Sequence, residues 1–142
     1  LLMYAVRHLT SAQTQRLNDY ASQYSGLQAL EHLLCDDTIV DRSSRDAWMV
    51  WLTFLYKAAL QAAFADMHKE LIDGWVDRIT DLLEDAQQAG EVRHDVDVRD
   101  EAVAIWAYSA GIGQMGLLDP VRLPPRLQKQ LIGSYLERLR SN

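Results

Sequence analysis

The stretch VRDEAVAIWAYSAGIGQMGLLDP, from Val98 to Pro120, decides the fold because residues 102–118 carry no charge. On a helix these residues divide into two apolar faces: Val103, Trp106, Ala110, Gly113 and Leu117 on one, and Ile105, Ile112, Met115 and Gly116 on the other. A helix that is apolar on both sides is buried on both sides. We therefore expect one face to pack on the core of the domain and the other to meet a second subunit in a homodimer.

A membrane span is the alternative interpretation of the same uncharged run. The run has seventeen residues, which is fewer than the roughly 20 apolar residues that a bilayer core requires. Acidic residues flank it, and the whole chain carries a net charge of −6. These features favour a buried helix, and we expect no contact with a membrane.

The composition is typical of a single all-α domain with a buried core. The chain has 142 residues, of which 49% are hydrophobic and 24% charged, with only three prolines and no alternating strand pattern. The acidic net charge and the lack of a basic stripe argue against direct binding to a phosphate backbone. The single cysteine, Cys35, excludes an intrachain disulfide and is typical of a cytoplasmic protein. The chain opens in a helical pattern without an initiator Met, so we expect that a segment precedes it.

Apolar residues spaced three and four apart predict about six helices. The predicted helices cover residues 2–23, 27–34, 44–62, 64–89, 98–118 and the segment that begins at Pro124. Ser25 and Asp97 are candidate N-caps, because short polar side chains accept hydrogen bonds from the free N–H groups of a first turn. Residues 36–44 are polar and are predicted to form a loop, and Gly90 marks the end of the fourth helix.

Motifs for enzyme or cofactor chemistry are absent or lack their structural context. Residues 111–116 match GxGxxG, but the dinucleotide motif needs a preceding strand, whereas a helix precedes these glycines. We interpret the glycines as small residues that let another backbone approach closely. The four histidines show no metal-ligand spacing, and neither Cys35 nor any serine lies in a catalytic motif. We therefore expect no enzyme activity, no metal and no cofactor.

Four tryptophans, Trp48, Trp51, Trp75 and Trp106, fall on the inward faces of three predicted helices. Each one alone is explained by filling of the core, but together they indicate a cavity with flat apolar walls. Such walls bind hydrophobic molecules, and they attract organic cations through cation–π interactions of about 0.5–2 kcal/mol each. His68 lies at the edge of the apolar stripe of the fourth helix. It is either a hydrogen-bonded structural residue or a polar group that lines the cavity.

Four segments occur in a characteristic order between Trp48 and Leu139. They are WLTFLYKAAL at 51–60, HKELIDGWVDRITDLLEDAQQAGEVRHDVD at 68–97, AIWAYSAGIGQMGLLDP at 104–120 and LPPRLQKQLIGSYLERL at 123–139. In this order they resemble the C-terminal regulatory domain of TetR-family transcriptional repressors, particularly the BetI-like branch. The chain departs from the pattern at Ala110, where relatives often carry an acidic residue before the glycine matched by Gly111.

The resemblance implies an all-α helical bundle over residues 1–142 that binds an effector and dimerises. Residues 1–40 would form connecting and small helices, residues 41–97 the cavity helices and residues 98–142 the dimerisation helices. A small hydrophobic or cationic organic effector would contact Trp48, Trp51, Leu55, Trp75, Ile79 and Trp106, with His68 as a polar anchor. The last two long helices would form a four-helix dimer interface through Ile105, Ile112, Met115, Leu127, Leu131 and Tyr135.

The resemblance also implies that effector binding changes the spacing of two DNA-binding heads. These heads would be helix-turn-helix units that precede the residues of this chain, so DNA would be a partner only through them. A stand-alone dimeric interaction module is one alternative, and a ligand carrier without a transcriptional role is another.

Overall fold

The computed structural model describes all 142 residues and contains six α-helices. Their bounds are α1 Leu2–Ala21, α2 Gly26–Asp36, α3 Arg42–Leu60, α4 Ala62–Gln88, α5 Val98–Leu118 and α6 Pro125–Glu137. The prediction of an all-α fold with about six helices is confirmed. The last helix is shorter than the sequence suggested, since α6 has 13 residues while α5 has 21. None of the six is both long and apolar enough to cross a membrane.

Short polar side chains begin three of these helices. The Ser25 hydroxyl accepts a hydrogen bond from the backbone N–H of Gln28, and the Asp97 carboxylate accepts from two N–H groups of the first turn of α5. Both predicted N-caps are confirmed. The predicted loop over residues 36–44 is too long, because Asp41 caps α3 at Arg42. Its carboxylate accepts from the backbone N–H of Ser44 at 2.8 Å, and the Ser44 hydroxyl accepts from the N–H of Asp41 at 3.1 Å.

The helices enclose two hydrophobic clusters of very different size. The main core contains eighteen buried side chains, mostly from α2, α4, α5 and α6, and its fully buried members include Leu30, Ile79 and Leu83. The small cluster contains only Val6, Phe54 and Met67, from α1, α3 and α4 respectively. Since α4 contributes to both clusters, it is the helix around which the two sides of the bundle are arranged.

A short backbone bridge closes the end of the bundle opposite to the α3–α4 junction. Gly90 ends α4 with a positive φ of 83°, which a residue without a Cβ adopts without strain. The following residues pair with the C-terminal segment through an isolated bridge between Val92 and Arg140. The N–H of Arg93 donates to the carbonyl of Leu139 at 2.9 Å, and the N–H of Ser141 donates to that of Glu91 at 2.8 Å. The chain end is thereby fixed beside α4.

Candidate functional site

A cavity of about 990 Å³ lies between the two clusters, and all six helices contribute to its wall. Every tryptophan of the chain lines it, and all four are half-buried: Trp48, Trp51, Trp75 and Trp106. Their indoles thus meet the same space from α3, α4 and α5. Cavities of this size with aromatic walls and a few polar groups are typical sites for small organic molecules.

Two contacts, one at each end of its indole, fix the position of Trp48. Its indole N–H donates a hydrogen bond to the backbone carbonyl of Asp37 at 2.8 Å. Its six-membered ring lies directly on Gly113 of α5, where a Cβ would overlap the ring atoms. A glycine is therefore needed at position 113 for this tryptophan to reach the wall of the cavity.

Asp37 contributes a carboxylate to the same wall. The side-chain amide of Gln13 donates to this carboxylate at 2.6 Å, and the Arg16 guanidinium lies 3.4 Å from it. Burial raises the pKa of Asp37 to about 6, although Arg16 and Gln13 act to lower it. At neutral pH the carboxylate is therefore mainly ionised, at a cost that a nearby positive charge would reduce.

The charged residues of the wall are mostly acidic. Asp36, Asp37, Asp41 and Glu70 line the cavity, whereas Arg16 is the only lysine or arginine that does so. Low-dielectric walls strengthen the potential that such an excess produces inside a cleft. The cavity therefore combines aromatic faces with an excess of carboxylates over basic groups, an arrangement that favours organic cations over anions.

The structure brings together only part of the predicted ligand set. Leu55 and Ile79 do not line the cavity, and Ile79 is fully buried in the main core. His68 does not line it either. Its ring lies beside two of the cavity tryptophans, 6.0 Å from Trp51 and 6.3 Å from Trp106 between ring centres. Burial lowers the pKa of His68, which keeps its imidazole neutral at neutral pH.

Sequence reasoning predicted none of the polar residues of this wall, among them Asp37, Thr38 and Gln128. Asp37 and Thr38 lie in the polar segment, residues 36–44, for which the sequence predicts a loop. Gln128 stands on the same helical stripe as the buried Ile132 and Leu136, and a glutamine on a buried stripe was the signal that could have found it.

The predicted dimer residues fall into three environments. Ile105 and Ile112 lie in the main core, 1% and 7% exposed, because α2, α4 and α6 cover that side of α5. Leu127, Leu131 and Tyr135 on α6 are half-buried, and the Tyr135 hydroxyl donates to Glu101. Met115 is 50% exposed. Helix α5 thus has one face in the main core, one toward the cavity and one exposed to solvent. The exposed, outward face contains Val103, Ala107, Met115 and Leu118.

The glycines of the GxGxxG sequence lie inside α5, with no strand before them. We expected these glycines to let the backbone of another helix approach closely, but side chains pack against two of them instead. The Trp48 ring lies on Gly113 and the Gln128 amide on Gly116, while nothing lies within 4 Å of the Cβ position at Gly111. No group of three or more His, Cys, Asp or Glu side chains is arranged to hold a metal ion.

Comparison with known proteins gives one family and several related folds. The family described as "BetI-type transcriptional repressor, C-terminal" matches residues 26–141. A TetR-family regulator from Rhodococcus sp. superposes with a TM-score of 0.86 at 17% identity, over 99% of this chain and 73% of that one. A second regulator, from Rhodococcus sp. Rha1, gives 0.81 at 15% identity over 97% and 70% of the two chains.

A third similar structure is a putative transcriptional regulator from Saccharomonospora viridis in complex with choline. It superposes with a TM-score of 0.83 at 21% identity, over 96% of this chain and 71% of that one. A comparison with curated proteins finds no match.

Proposed function

We propose that this chain, which belongs to the family of BetI-type transcriptional repressor C-terminal domains, binds a small organic cation in the tryptophan-lined cavity. The single observation that carries the proposal is that four indoles and the Asp37 carboxylate face one space. Binding of the cation would regulate the DNA-binding part of a TetR-like repressor.

The chemistry of the wall favours a cation over a neutral effector. Each indole face attracts a cation by about 0.5–2 kcal/mol, and more when water is excluded. The Asp37 carboxylate is destabilised by burial, so a bound ammonium group would compensate its charge. The regulator from Saccharomonospora viridis is in complex with choline, a quaternary ammonium ion, which supports the same ligand class for the related cavity of this chain.

The proposed route from cavity to DNA passes through α5 and a homodimer. The outward face of α5, with Val103, Met115 and Leu118 exposed, supplies an uncharged surface of the kind that helices bury against a second subunit. Gly113 on the same helix touches Trp48. An effector that moves Trp48 would therefore shift α5 and change the dimer geometry. Regulation then results from the different affinities of the effector for the two dimer states.

Calorimetric titration with choline and its uncharged carbon isostere tests the ligand class. We expect choline to bind more tightly than the isostere, and Asp37→Asn to weaken choline binding roughly tenfold, as loss of a charge-assisted contact does. Asp81→Asn is the matched control, because it removes the same charge from an exposed position on α4. Equal affinities for choline and its isostere in the unmodified protein would refute the proposal.

Light scattering at micromolar concentration tests the dimer. We expect Met115→Asp to give a monomer, because it places a charge in the proposed interface, whereas Leu60→Asp on the exposed end of α3 should leave the dimer intact. A monomeric unmodified chain would overturn the dimer and leave the ligand proposal standing.

A further inference from the structure

The wall of the cavity reaches the surface along the seam between α1 and α4, and two polar bridges cross this seam. The Arg7 guanidinium lies 3.6 Å from the Glu70 carboxylate. The Arg78 guanidinium donates a hydrogen bond to the side-chain oxygen of Asn18 at 3.0 Å. Because Glu70 and Arg78 are eight residues apart on one helix, about 12 Å of α4 separates the two bridges.

Small residues face each other between the two bridges. On α1, Ser11 and Thr14 lie on the same face as the two bridging residues, since positions three and four apart are neighbours on a helix surface. On α4, Gly74 stands midway between its two bridging residues, on the face that both of them direct at α1. A Cβ at Gly74 would meet no atom within 4 Å. The two helices therefore leave a gap at this point.

The gap leads from solvent into the cavity. Ser11, Thr14 and Gly74 are exposed to solvent, and all three also line the cavity. Leu71 and Trp75, which are half-buried on α4, line it next to Gly74. Residues that meet both the solvent and the interior mark an opening. We call this opening, framed by the two polar bridges, the window.

The wall also reaches solvent at residues 36–43, but hydrogen bonds hold that segment to its neighbours. The Trp48 indole donates to the backbone carbonyl of Asp37, and the Tyr20 hydroxyl donates to the Asp36 carboxylate. Between its two bridges, the window is crossed by no hydrogen bond or ion pair from α1 to α4. It is therefore the less obstructed of the two approaches to the cavity.

We infer that the effector enters and leaves the cavity through the window. The inference rests on the proposed binding of an effector in this cavity, but it does not depend on the charge of that effector. The Arg7–Glu70 pair is exposed, and exposed ion pairs contribute little to stability. Since exposed side chains change rotamer rapidly, the window widens without the unfolding of a helix. The missing side chain of Gly74 sets the width that remains.

Thiol labelling measures entry without any effector. In the double variant Cys35→Ser, Ser109→Cys, the single thiol lies on α5 at a half-buried position of the cavity wall. The uncharged reagent methyl methanethiosulfonate must enter the cavity to react with it. We expect Gly74→Phe to slow this reaction roughly tenfold, because the ring closes the window and entry then requires a rare local opening of the helices. Arg78→Ala removes one bridge and should speed the reaction roughly twofold, since the bridge is weak.

Asp73→Phe is the matched control, because Asp73 is exposed next to Gly74 and does not line the cavity. It should leave the labelling rate unchanged, and in urea all the variants should react at the same rate. An unchanged rate in Gly74→Phe would overturn the window and place entry at residues 36–43. A thiol that does not react in the folded protein would also overturn it, because the cavity would then be closed to solvent. Failure of choline to bind in calorimetry refutes the cation site instead, and the labelling rates still decide the window.

Discussion

The two sides of the bundle use their apolar residues differently. On the side of α2, α4, α5 and α6, eighteen buried side chains fill the main core, whereas the side formed by α1 and α3 contains a cluster of three. Two aromatic residues of α3, Trp48 and Trp51, line the cavity beside the small cluster, and Trp51 also packs against that cluster. The difference teaches that apolar side chains fill one side of the bundle, whereas on the other side they surround an open cavity.

Helix α4 allows the two sides to be compared within one element. Leu83 lies in the main core, Met67 lies in the small cluster, and Trp75 between them lines the cavity. Changes along this helix therefore test the division directly, since the backbone and its propensity are shared.

The largest expected effect is on the main core. Leu83→Ala should lower the free energy of unfolding by about 3–5 kcal/mol, because its tightly packed surroundings cannot close the void. Met67→Ala should cost about 2 kcal/mol, because only two other buried side chains share its small cluster. Urea denaturation measures both. Leu60→Ala, at a position that is 66% exposed, should change stability by less than about 0.5 kcal/mol. Equal losses of unfolding free energy in Leu83→Ala and Met67→Ala would contradict the difference between the main core and the small cluster.

The next effect concerns pH. The folded state holds the proton of Asp37 with a pKa of about 6, above the ordinary value of 3.8. Between these two pH values the folded state therefore binds more protons than the unfolded state does. Stability from this group is therefore present below about pH 4 and is lost as the pH rises through about 6, with a total of about 2–3 kcal/mol. Asp37→Asn should remove this loss in thermal melts recorded at several pH values. An identical pH dependence in both proteins would contradict the assignment.

Two glycines on the cavity wall should respond with opposite signs. Gly113→Ala forces a Cβ into the Trp48 ring and should lower the free energy of unfolding by about 1–3 kcal/mol. The same variant should also weaken effector binding, because Trp48 lines the cavity. Gly74→Ala meets no atom within 4 Å and should raise stability by up to about 1 kcal/mol, because alanine favours the helix. Thermal melts of the two variants measure the difference. A stabilised Gly113→Ala would show that the Trp48 position is not fixed.

The smallest expected change in stability comes from the cavity wall itself. Trp106→Leu should weaken binding of an organic cation by about 2- to 30-fold, the loss of one cation–π contact, while shifting the urea midpoint less than Leu83→Ala does. Tyr56→Leu removes an aromatic ring that is 69% exposed on α3 and is the control. If Trp106→Leu destabilises the fold as strongly as Leu83→Ala, the ring belongs to the core rather than to the site.

The sequence predicted α5 well because local signals determine its ends. The uncharged run, the Asp97 cap and the Asp119-Pro120 stop all act within a few residues. The sequence did not show which part of the structure each side of α5 contacts. Two apolar faces were assigned to core and partner, but Ile105 and Ile112 pack in the core, Trp106 faces the cavity, and a third face is exposed. Periodicity gives the faces of a helix, whereas their order depends on which other helices surround it.

The candidate site was predictable for aromatic residues and not for polar ones. Four tryptophans at inward positions indicated a flat-walled cavity, and all four line it. Asp37 and Gln128 were missed for the same physical reason. A charged or amide side chain is expected to face solvent unless a partner is known, and their partners, Gln13 and Leu123, are supplied by tertiary structure.

Because every tryptophan of the chain borders one cavity, the tryptophan fluorescence of the protein comes entirely from the wall of that cavity. The outward face of α5 contains no tryptophan, so excitation of the indoles does not report on that surface. The emission maximum therefore responds to the polarity of the cavity that all four rings border. A ligand that displaces water from these rings shifts the emission maximum to shorter wavelength, so tryptophan fluorescence measures whether the cavity is occupied.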